Sequence, residues 1–224
     1  MKSYKKNKKN ISIILNSLEQ MHPDAKCELN YTTPFELLIA TILSAQCTDV
    51  RVNKVTEELF KKYNTAEDFA SLDIEEIEEN IKTCGLYRSK AKKIKETSEK
   101  IFSEYKGKVP DNIEQLIKLP GVGRKTADVV LSNAFGKPAI AVDTHVFRVT
   151  NRIGLVNEKT PEKTEFALMD IIPKNRWSKM HHVFIFQGRY ICKAQRPLCD
   201  KCEIKPYCDF YCEEIFSNEK TKKR

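Results

Sequence analysis

Apolar residues recur along this chain at the spacing of an α-helix, and this pattern constrains the fold more than any other feature of the sequence. Near the start, Ile11, Ile14, Leu15 and Leu18 lie on one face of a predicted helix, with polar residues between them. One such pattern follows another through most of the 224 residues. The nearest approach to a strand is the short run 139–142. The sequence therefore predicts an all-α fold.

Prolines and capping residues predict where individual helices begin. Pro34 stands at the favoured early position of one helix, and Thr48–Asp49 is typical of the N-cap of the next. Ser89 is predicted to cap a later helix. Two further helices, Ile113–Leu119 and Arg124–Ala134, lie on either side of a short glycine-containing turn, which predicts a helical hairpin.

Charge is concentrated at the two ends of the chain. The net charge is +8, and the first nine residues carry five positive charges while the last five residues carry four, so the body between them has a net charge of −1. A nearly neutral body can bind nucleic acid only through a local patch. The run 73–79 is acidic and the run 88–95 is basic, although both are also typical of solvated helix faces. The positive residues of the ends are Lys2, Lys5, Lys6, Lys8, Lys9, Lys220, Lys222, Lys223 and Arg224.

The turn of the predicted hairpin is suited to an anion. It reads Leu119-Pro120-Gly121-Val122-Gly123 and is followed by Arg124 and Lys125. Backbone amides at such a helix start bind groups such as a phosphate, and glycine permits close approach and unusual backbone conformations. The helix dipole and burial would both favour the neutral, nucleophilic amine of Lys125. The same lysine is otherwise a surface residue or a simple phosphate contact.

A carboxylate, Asp143, follows Lys125 by eighteen positions. It stands between the extended run 139–142 and a helical pattern, where aspartate is a preferred N-cap. An ionised aspartate could also accept a proton from the lysine or stabilise a cationic sugar. The two roles are compatible, and the residues alone leave both open.

Five of the eight cysteines lie close together near the end of the chain. Without a secretion signal, a disulfide framework is not expected. Four thiolates at the spacing C-x6-C-x2-C-x5-C could converge on a metal centre if the loop folds tightly, and zinc remains an alternative although it usually takes two C-x2-C pairs. A fifth thiol, Cys212, is expected to be a bystander, with ligand exchange left open. The spaced cysteines are Cys192, Cys199, Cys202 and Cys208, and the scattered ones are Cys27, Cys47 and Cys84.

The run Leu119–Ala127, the tetrapeptide Val142-Asp143-Thr144-His145 and the cysteine spacing resemble the endonuclease III family of DNA glycosylases. The resemblance covers the chain from Pro34 to Cys208. It implies two helical halves with DNA between them, here residues 27–137, and residues 1–26 joined to 138–224. It also implies a [4Fe–4S] cluster held by Cys192, Cys199, Cys202 and Cys208.

The same resemblance implies a role for each candidate site residue. Lys125 would attack the sugar, expel the base and form a Schiff base, with Asp143 assisting. DNA contacts are implied for Gln46 and Leu86, which would fill the gap left by a flipped nucleotide, for the amides of Gly121, Val122 and Gly123, and for Lys193 and Arg196. Ser44, Asp49 and His145 would line the base pocket. Without the resemblance, Gln46 is a surface glutamine, Leu86 a core leucine, and Asp49 a helix cap.

The implied function is base excision repair. The protein would be a bifunctional DNA glycosylase and abasic-site lyase that removes oxidised pyrimidines from damaged duplex DNA, as an intracellular, cytoplasmic and nucleoid-associated monomer with no membrane partner. One alternative is a monofunctional adenine-mismatch glycosylase, whose members lack a lysine at the position of Lys125. Another is a non-catalytic, cluster-bearing DNA-binding protein. Asp128, where relatives often have asparagine, is expected to tune DNA affinity or the lysine.

Overall fold

The computed structural model describes residues 6–216, and every regular element in that range is helical, which confirms the all-α prediction. Lys2, Lys5 and the basic residues from Lys220 onward lie outside the described residues. No helix of the described range is long and apolar enough to cross a bilayer. The α-helices are α1 Lys8–Met21, α2 Pro34–Leu43, α3 Asp49–Lys62, α4 Ala66–Ser71, α5 Ile74–Ile81, α6 Tyr87–Tyr105, α7 Ile113–Leu116, α8 Arg124–Ala134, α9 Thr144–Ile153, α10 Pro161–Ile171 and α11 Trp177–Phe186.

The described residues form two compact units. One is Cys27–Ala139, and the other joins the described parts of Met1–Lys26 and Ile140–Arg224. The division expected from the family resemblance placed the second boundary at residue 137 instead of 139.

The unit Cys27–Ala139 is built around α2. The residues of α2 from Phe35 to Leu43 are all buried, because this helix packs against α3, α6 and α8. The long helix α6 also carries α4 and α5 on its surface. On α8, Ala127, Val130 and Leu131 are buried at helical spacing, so this helix presents its inner face to α2 and leaves its first turn at the surface.

The other unit packs α1 and α9 against α11. Ile14, Leu15 and Leu18 of α1 share a core with Val183 and Phe184 of α11. The chain continues from α11 through a π-helical turn, Gln187–Ile191, into the loop that carries four of the cysteines. Three short helical turns follow: Cys199–Lys201, Lys205–Tyr207 and Tyr211–Phe216.

Two helix limits differ from those predicted. The helix expected to begin at a cap on Ser89 begins earlier, at Tyr87, because Leu86 takes a left-handed conformation that ends the preceding segment. The helix expected to reach Leu119 ends at Leu116, because the residue before a proline is driven out of the helical region and the turn at Pro120 follows. The limits of α8 are those predicted.

Candidate active site

The turn before α8 is built by a proline and a glycine. The amide of Val122 donates to the carbonyl of Leu119 at 3.1 Å, and Gly121 lies between them at φ +74°, which is the geometry of a type II turn with Pro120 at its second position. A side chain at Gly121 would be strained, and its Cβ would lie 2.9 Å from Lys93 side-chain atoms. The expectation that the Val122 amide faces a phosphate is therefore wrong, because the turn already uses that amide and Val122 is buried.

Gly123 is the N-cap of α8, and its backbone conformation is one that other residues can also adopt. Its φ is −84°, and a Cβ built on it meets nothing within 4 Å. The idea that the turn itself excludes a side chain thus applies to Gly121 and not to Gly123. The first amides of α8, which have no intrahelical acceptor, begin directly after it.

Lys125 lies in the first turn of α8 and is exposed. The burial expected around this side chain is therefore absent, because α8 turns the opposite face, with Ala127 and Val130, into the core. Exposure leaves the amine accessible to a bound strand. Asp128, three residues further along, is buried at 2% exposure, so it cannot touch DNA directly.

Gln46 and Leu86 share an uncommon conformation in the same unit. Both are non-glycine residues with positive φ, 53° and 59°, and both are exposed, Leu86 to 60%. Such conformations cost free energy and mark positions where the fold fixes the backbone for another purpose. A Cβ on Gly85 would lie 3.4 Å from the Gln46 carbonyl oxygen, so the two loops adjoin. The interpretation of Leu86 as a core leucine is wrong.

Ser44 and Asp49 stand on either side of the Gln46 loop. Ser44 ends α2, where its hydroxyl donates to the Thr41 carbonyl at 2.8 Å. Asp49 is the first residue of α3, and the cap is Thr48, whose side chain accepts from the Arg51 amide at 3.3 Å. The alternative that Asp49 is merely the cap is therefore wrong.

Lys90 is a structural residue of this region that the sequence analysis missed. It is only 4% exposed, and its Nζ donates to the Leu43 carbonyl at the end of α2 at 2.7 Å. Burial lowers the pKa of this ammonium below its ordinary value. The burial of Lys90 could have been predicted from helical spacing. Lys90 adjoins Ala91 and precedes Ile94 by four positions, and both lie on the buried face of α6.

Asp143, in the other unit, caps α9. Its Oδ1 accepts from the amides of His145 at 2.9 Å and Val146 at 2.8 Å, so Oδ2 takes no part in the cap. The segment leading to it is held from α11, where Nδ1 of His181 donates to the Ala141 carbonyl at 2.7 Å. The cap fixes the carboxylate in place.

The side chain of His145 is held in place by Arg148, which lies three residues further along α9. An NH2 group of Arg148 lies 3.2 Å from Nδ1 of His145 and 3.0 Å from the Gly188 carbonyl oxygen. A guanidinium group can only donate hydrogen bonds, so Nδ1 of His145 is the acceptor in this contact. The hydrogen of the neutral ring therefore lies on Nε2. A Cβ on Gly188 would approach His145 Cβ to 2.8 Å, so glycine permits this contact. His145 thus offers a hydrogen-bond donor at Nε2.

Arg152 joins α9 to the cysteine loop. Its guanidinium donates to the carbonyls of Lys193 at 2.7 Å and Ala194 at 3.0 Å and stacks on the Phe210 ring at 4.6 Å. Lys193 and Arg196 are exposed on this loop, and Arg196 has a positive φ of 49°. The backbone that carries both cations is thereby fixed to the helix that Asp143 caps.

The four spaced cysteines line one small cavity of about 20 Å³. The cavity is otherwise mostly apolar, and Gln187 Nε2 lies 3.3 Å from the Cys202 sulfur. Burial, more than the neighbouring thiols, raises the pKa of Cys208 to about 12. Cys212 is exposed and does not line this cavity. In the range 6–216, no three side chains of the histidine, cysteine, aspartate or glutamate type are arranged to hold one metal ion.

His181, His182 and Trp177 lie beside these elements. His181 and His182 are buried, at 2% and 9% exposure, and the Trp177 indole donates to the Ile172 carbonyl at 2.8 Å. Burial lowers the pKa of His182 to about 3. These contacts are structural.

Residues 39–174 match the model of the HhH-GPD superfamily of base excision DNA repair proteins. The chain belongs to this superfamily. Endonuclease III of Bacillus subtilis is 51% identical over 203 residues, covering 90% of this chain and 93% of that protein. Two solved structures, a trapped endonuclease III–DNA covalent intermediate and a non-covalent endonuclease III–DNA complex, each match with a TM-score of 0.88 at 48% identity, covering 98% of this chain and all of theirs.

Membership of the endonuclease III family confirms the class of activity that the sequence predicted, a base excision repair DNA glycosylase with abasic-site lyase activity, and with it DNA binding. Among the predicted site residues, one unit contains Lys125, the hairpin, Gln46, Leu86, Ser44 and Asp49. The other unit contains Asp143, His145, Lys193, Arg196 and the four cysteines.

Proposed function

We propose that this endonuclease III family member removes oxidised pyrimidines from duplex DNA and then cleaves the abasic strand, with Lys125 as nucleophile and Asp143 as its acid–base partner. The main support for the proposal is the exposed amine of Lys125, which lies in the first turn of α8, immediately after the hairpin turn. Borohydride treatment during turnover tests it, because reduction makes a Schiff base between lysine and sugar permanent.

The reaction follows from the two groups. Asp143 accepts a proton from the lysine ammonium, and the neutral Nζ attacks C1′ of the sugar while the bond to the base breaks. The resulting Schiff base makes the neighbouring 2′ proton removable, and its loss expels the 3′ phosphate. The ionised carboxylate also stabilises the positive charge that develops on the sugar. A relative whose structure is that of a trapped covalent intermediate supports this over a monofunctional reaction.

A base inside the duplex cannot reach these groups, so the nucleotide must be flipped out. Gln46 and Leu86 are proposed to occupy the vacated space, which their exposure and fixed backbone conformation support. Ser44, Asp49 and His145 are proposed to line the base pocket. The donor at Nε2 of His145 suits a carbonyl oxygen of a pyrimidine.

Phosphates are proposed to be bound at two places. The amides of Gly121 and Gly123 and the first turn of α8 would bind one phosphate, and Lys193 and Arg196 would bind others. The protein would act as a monomer on damaged duplex, at an intracellular, nucleoid-associated location. Lys6 cannot be counted as a free tail charge, because it forms an ion pair with Asp209 at 2.6 Å.

Replacing Gly123 by valine is expected to weaken binding of damaged and undamaged duplex alike, because a side chain would keep the phosphate away from the hairpin backbone. The variant should fold normally, since φ at Gly123 is ordinary and a Cβ there meets nothing within 4 Å. Replacing Lys193 or Arg196 by glutamine should lower the slope of log affinity against log salt by about 0.9 for each lost contact. Fluorescence anisotropy across a salt series measures both effects.

Lys137→Gln is the control for charge, because Lys137 is an exposed lysine of the unit Cys27–Ala139 and is paired with Asp111. It should leave the salt slope unchanged. A wild-type slope in the Lys193 and Arg196 variants would contradict the loop contacts. Wild-type affinity in Gly123→Val would contradict the hairpin contact.

Cys192, Cys199, Cys202 and Cys208 are proposed to hold a [4Fe–4S] cluster. Their sulfurs line a single cavity, yet no three metal-binding side chains of the described range converge as one tetrahedral zinc ion requires. In a [4Fe–4S] cluster each thiolate binds a different iron, so the four sulfurs can lie further apart. The cluster would supply no step of base excision. It would hold the loop that presents Lys193 and Arg196.

Purified protein is expected to be brown and to contain iron and inorganic sulfide in equal amounts. Cys202→Ser should lose both, because the cluster needs four thiolates. Cys212→Ser is the matched control, and it should keep the full iron content since Cys212 lies outside the cavity. Metal and sulfide analysis decides the point, and one equivalent of zinc without iron would contradict the assignment.

A further inference from the structure

Two cysteines outside the cluster loop lie beside the residues proposed to enter the duplex. Cys47 directly follows Gln46, and Cys84 precedes Leu86 by two positions. The two thiols interact with each other, and both interact electrostatically with the Lys90 ammonium. Cys84 is 1% exposed, whereas Cys47 is half-buried at the edge of the same core. The catalytic mechanism uses neither thiol.

The backbones around these thiols also adjoin. A Cβ on Gly85 would lie 3.4 Å from the Gln46 carbonyl oxygen, and Lys90 ties the start of α6 to the end of α2 through the Leu43 carbonyl. The loops of Gln46 and Leu86 are therefore neighbours held together by non-covalent contacts alone. A disulfide requires its sulfurs to come within about 2 Å, and two thiols on adjoining loops can reach that separation by a local movement.

We propose that Cys47 and Cys84 are a redox modification site, and that a low-molecular-weight disulfide converts them reversibly into an intramolecular disulfide that ties the two loops together. The Cys47 sulfur first attacks one sulfur of the small disulfide, whose S–S bond breaks and releases one thiol. The Cys84 sulfur then attacks the Cys47 sulfur of the mixed disulfide and releases the second thiol. The two protein protons leave on the two released thiols, and the protein loses two electrons to the small disulfide.

The order of the two steps follows from burial. Cys47 is the more accessible of the two sulfurs, because it is half-buried whereas Cys84 is enclosed. Cys84 cannot react first, because it is enclosed in the core, where burial raises its pKa to about 11. It becomes reactive only toward a sulfur placed next to it. Disulfides of intracellular proteins are typically transient and of this regulatory kind.

The consequence for DNA rests on the proposed function of Gln46 and Leu86. Drawing the Cys84 sulfur toward Cys47 shifts the backbone two residues before Leu86 and fixes the separation of the two loops. Oxidised protein is expected to bind duplex with an abasic site about tenfold more weakly, on the scale of one lost stacking contact. A thiol reductant should restore the affinity.

The test treats the whole, cluster-loaded protein with oxidised glutathione and maps its peptides by mass spectrometry without DNA. A linked peptide that contains Cys47 and Cys84 is expected, with a mass two hydrogens below the sum of its two reduced peptides. Cys84→Ser should instead stop at one glutathione on Cys47, and Cys47→Ser should take none at Cys84. Cys27→Ser, a change at another half-buried thiol of the same unit, should form the link as the wild type does.

Absence of the linked peptide from the wild-type protein would overturn the site, whatever the variants do. Attachment of glutathione to Cys84 in Cys47→Ser would overturn the order of reaction. A linked protein whose affinity for abasic duplex is unchanged would overturn the regulatory consequence. Because the link is measured without DNA or activity, its outcome is independent of whether Gln46 and Leu86 fill the gap in the duplex.

Discussion

Lys125→Gln protein is expected to bind damaged duplex but to form no covalent adduct in borohydride, and its rate of base release should fall at least about 10⁴-fold, the scale seen when a covalent nucleophile is removed. Glutamine cannot form a Schiff base. The fold should be unaffected, because Lys125 is exposed in the first turn of α8 and contributes nothing to the core formed by Ala127 and Val130. Gel shift, trapping and single-turnover kinetics measure the three quantities.

Lys118→Gln is the matched control. Lys118 is an exposed lysine on the other side of the hairpin turn, so its replacement removes the same charge from the same region. It should leave adduct formation intact. An undiminished adduct in Lys125→Gln would show that another amine is the nucleophile. Equal losses in both variants would mean that the charge of the hairpin, and not one amine, is responsible.

Asp143→Asn should reduce the single-turnover rate by about 10²–10⁴, the usual contribution of general acid–base catalysis, with little change in melting temperature. Asparagine is as good an N-cap as aspartate, and its carbonyl oxygen can accept from the amides of His145 and Val146 as Oδ1 of Asp143 does. The substitution therefore removes the negative charge and the proton acceptor while it keeps the start of α9.

Two further variants separate catalysis from capping. Asp143→Ala loses the cap as well, at a cost of about 1 kcal/mol, and should melt about 2–4 °C lower. Asp73→Asn changes the N-cap aspartate of α5 and should turn over at the wild-type rate. A near-normal rate in Asp143→Asn, together with the lower melting temperature of Asp143→Ala, would show that Asp143 only caps its helix.

Local patterns were enough to predict the elements that bear the chemistry. The limits of α8, Arg124–Ala134, follow from the turn before it and the glycine after it, both of which act within a few residues. The N-cap role of Asp143 was also readable, because an N-cap depends only on the next three amides. The positions of the four cysteines around one cavity were implied by their spacing through the family resemblance.

Features that depend on contacts distant in the sequence were not predictable in this way. Lys90 looks like any member of a basic run until α6 is packed against the end of α2, where its ammonium meets the Leu43 carbonyl. In the sequence, Leu86 looks like a core leucine. Its left-handed conformation is imposed by the loop beside it, which the local pattern does not reveal. Gly121 and Gly123 are indistinguishable by composition, although only Gly121 adopts a positive φ.

Locating the covalent bond itself tests the assignment of Lys125 as nucleophile. Wild-type protein would be reduced with borohydride during reaction on a duplex containing an oxidised pyrimidine, digested, and its DNA-bearing peptide sequenced by mass spectrometry. We expect one modified residue, Lys125 at the start of α8. A sugar remnant on any other amine, or complete base release with no adduct at all, would contradict this assignment.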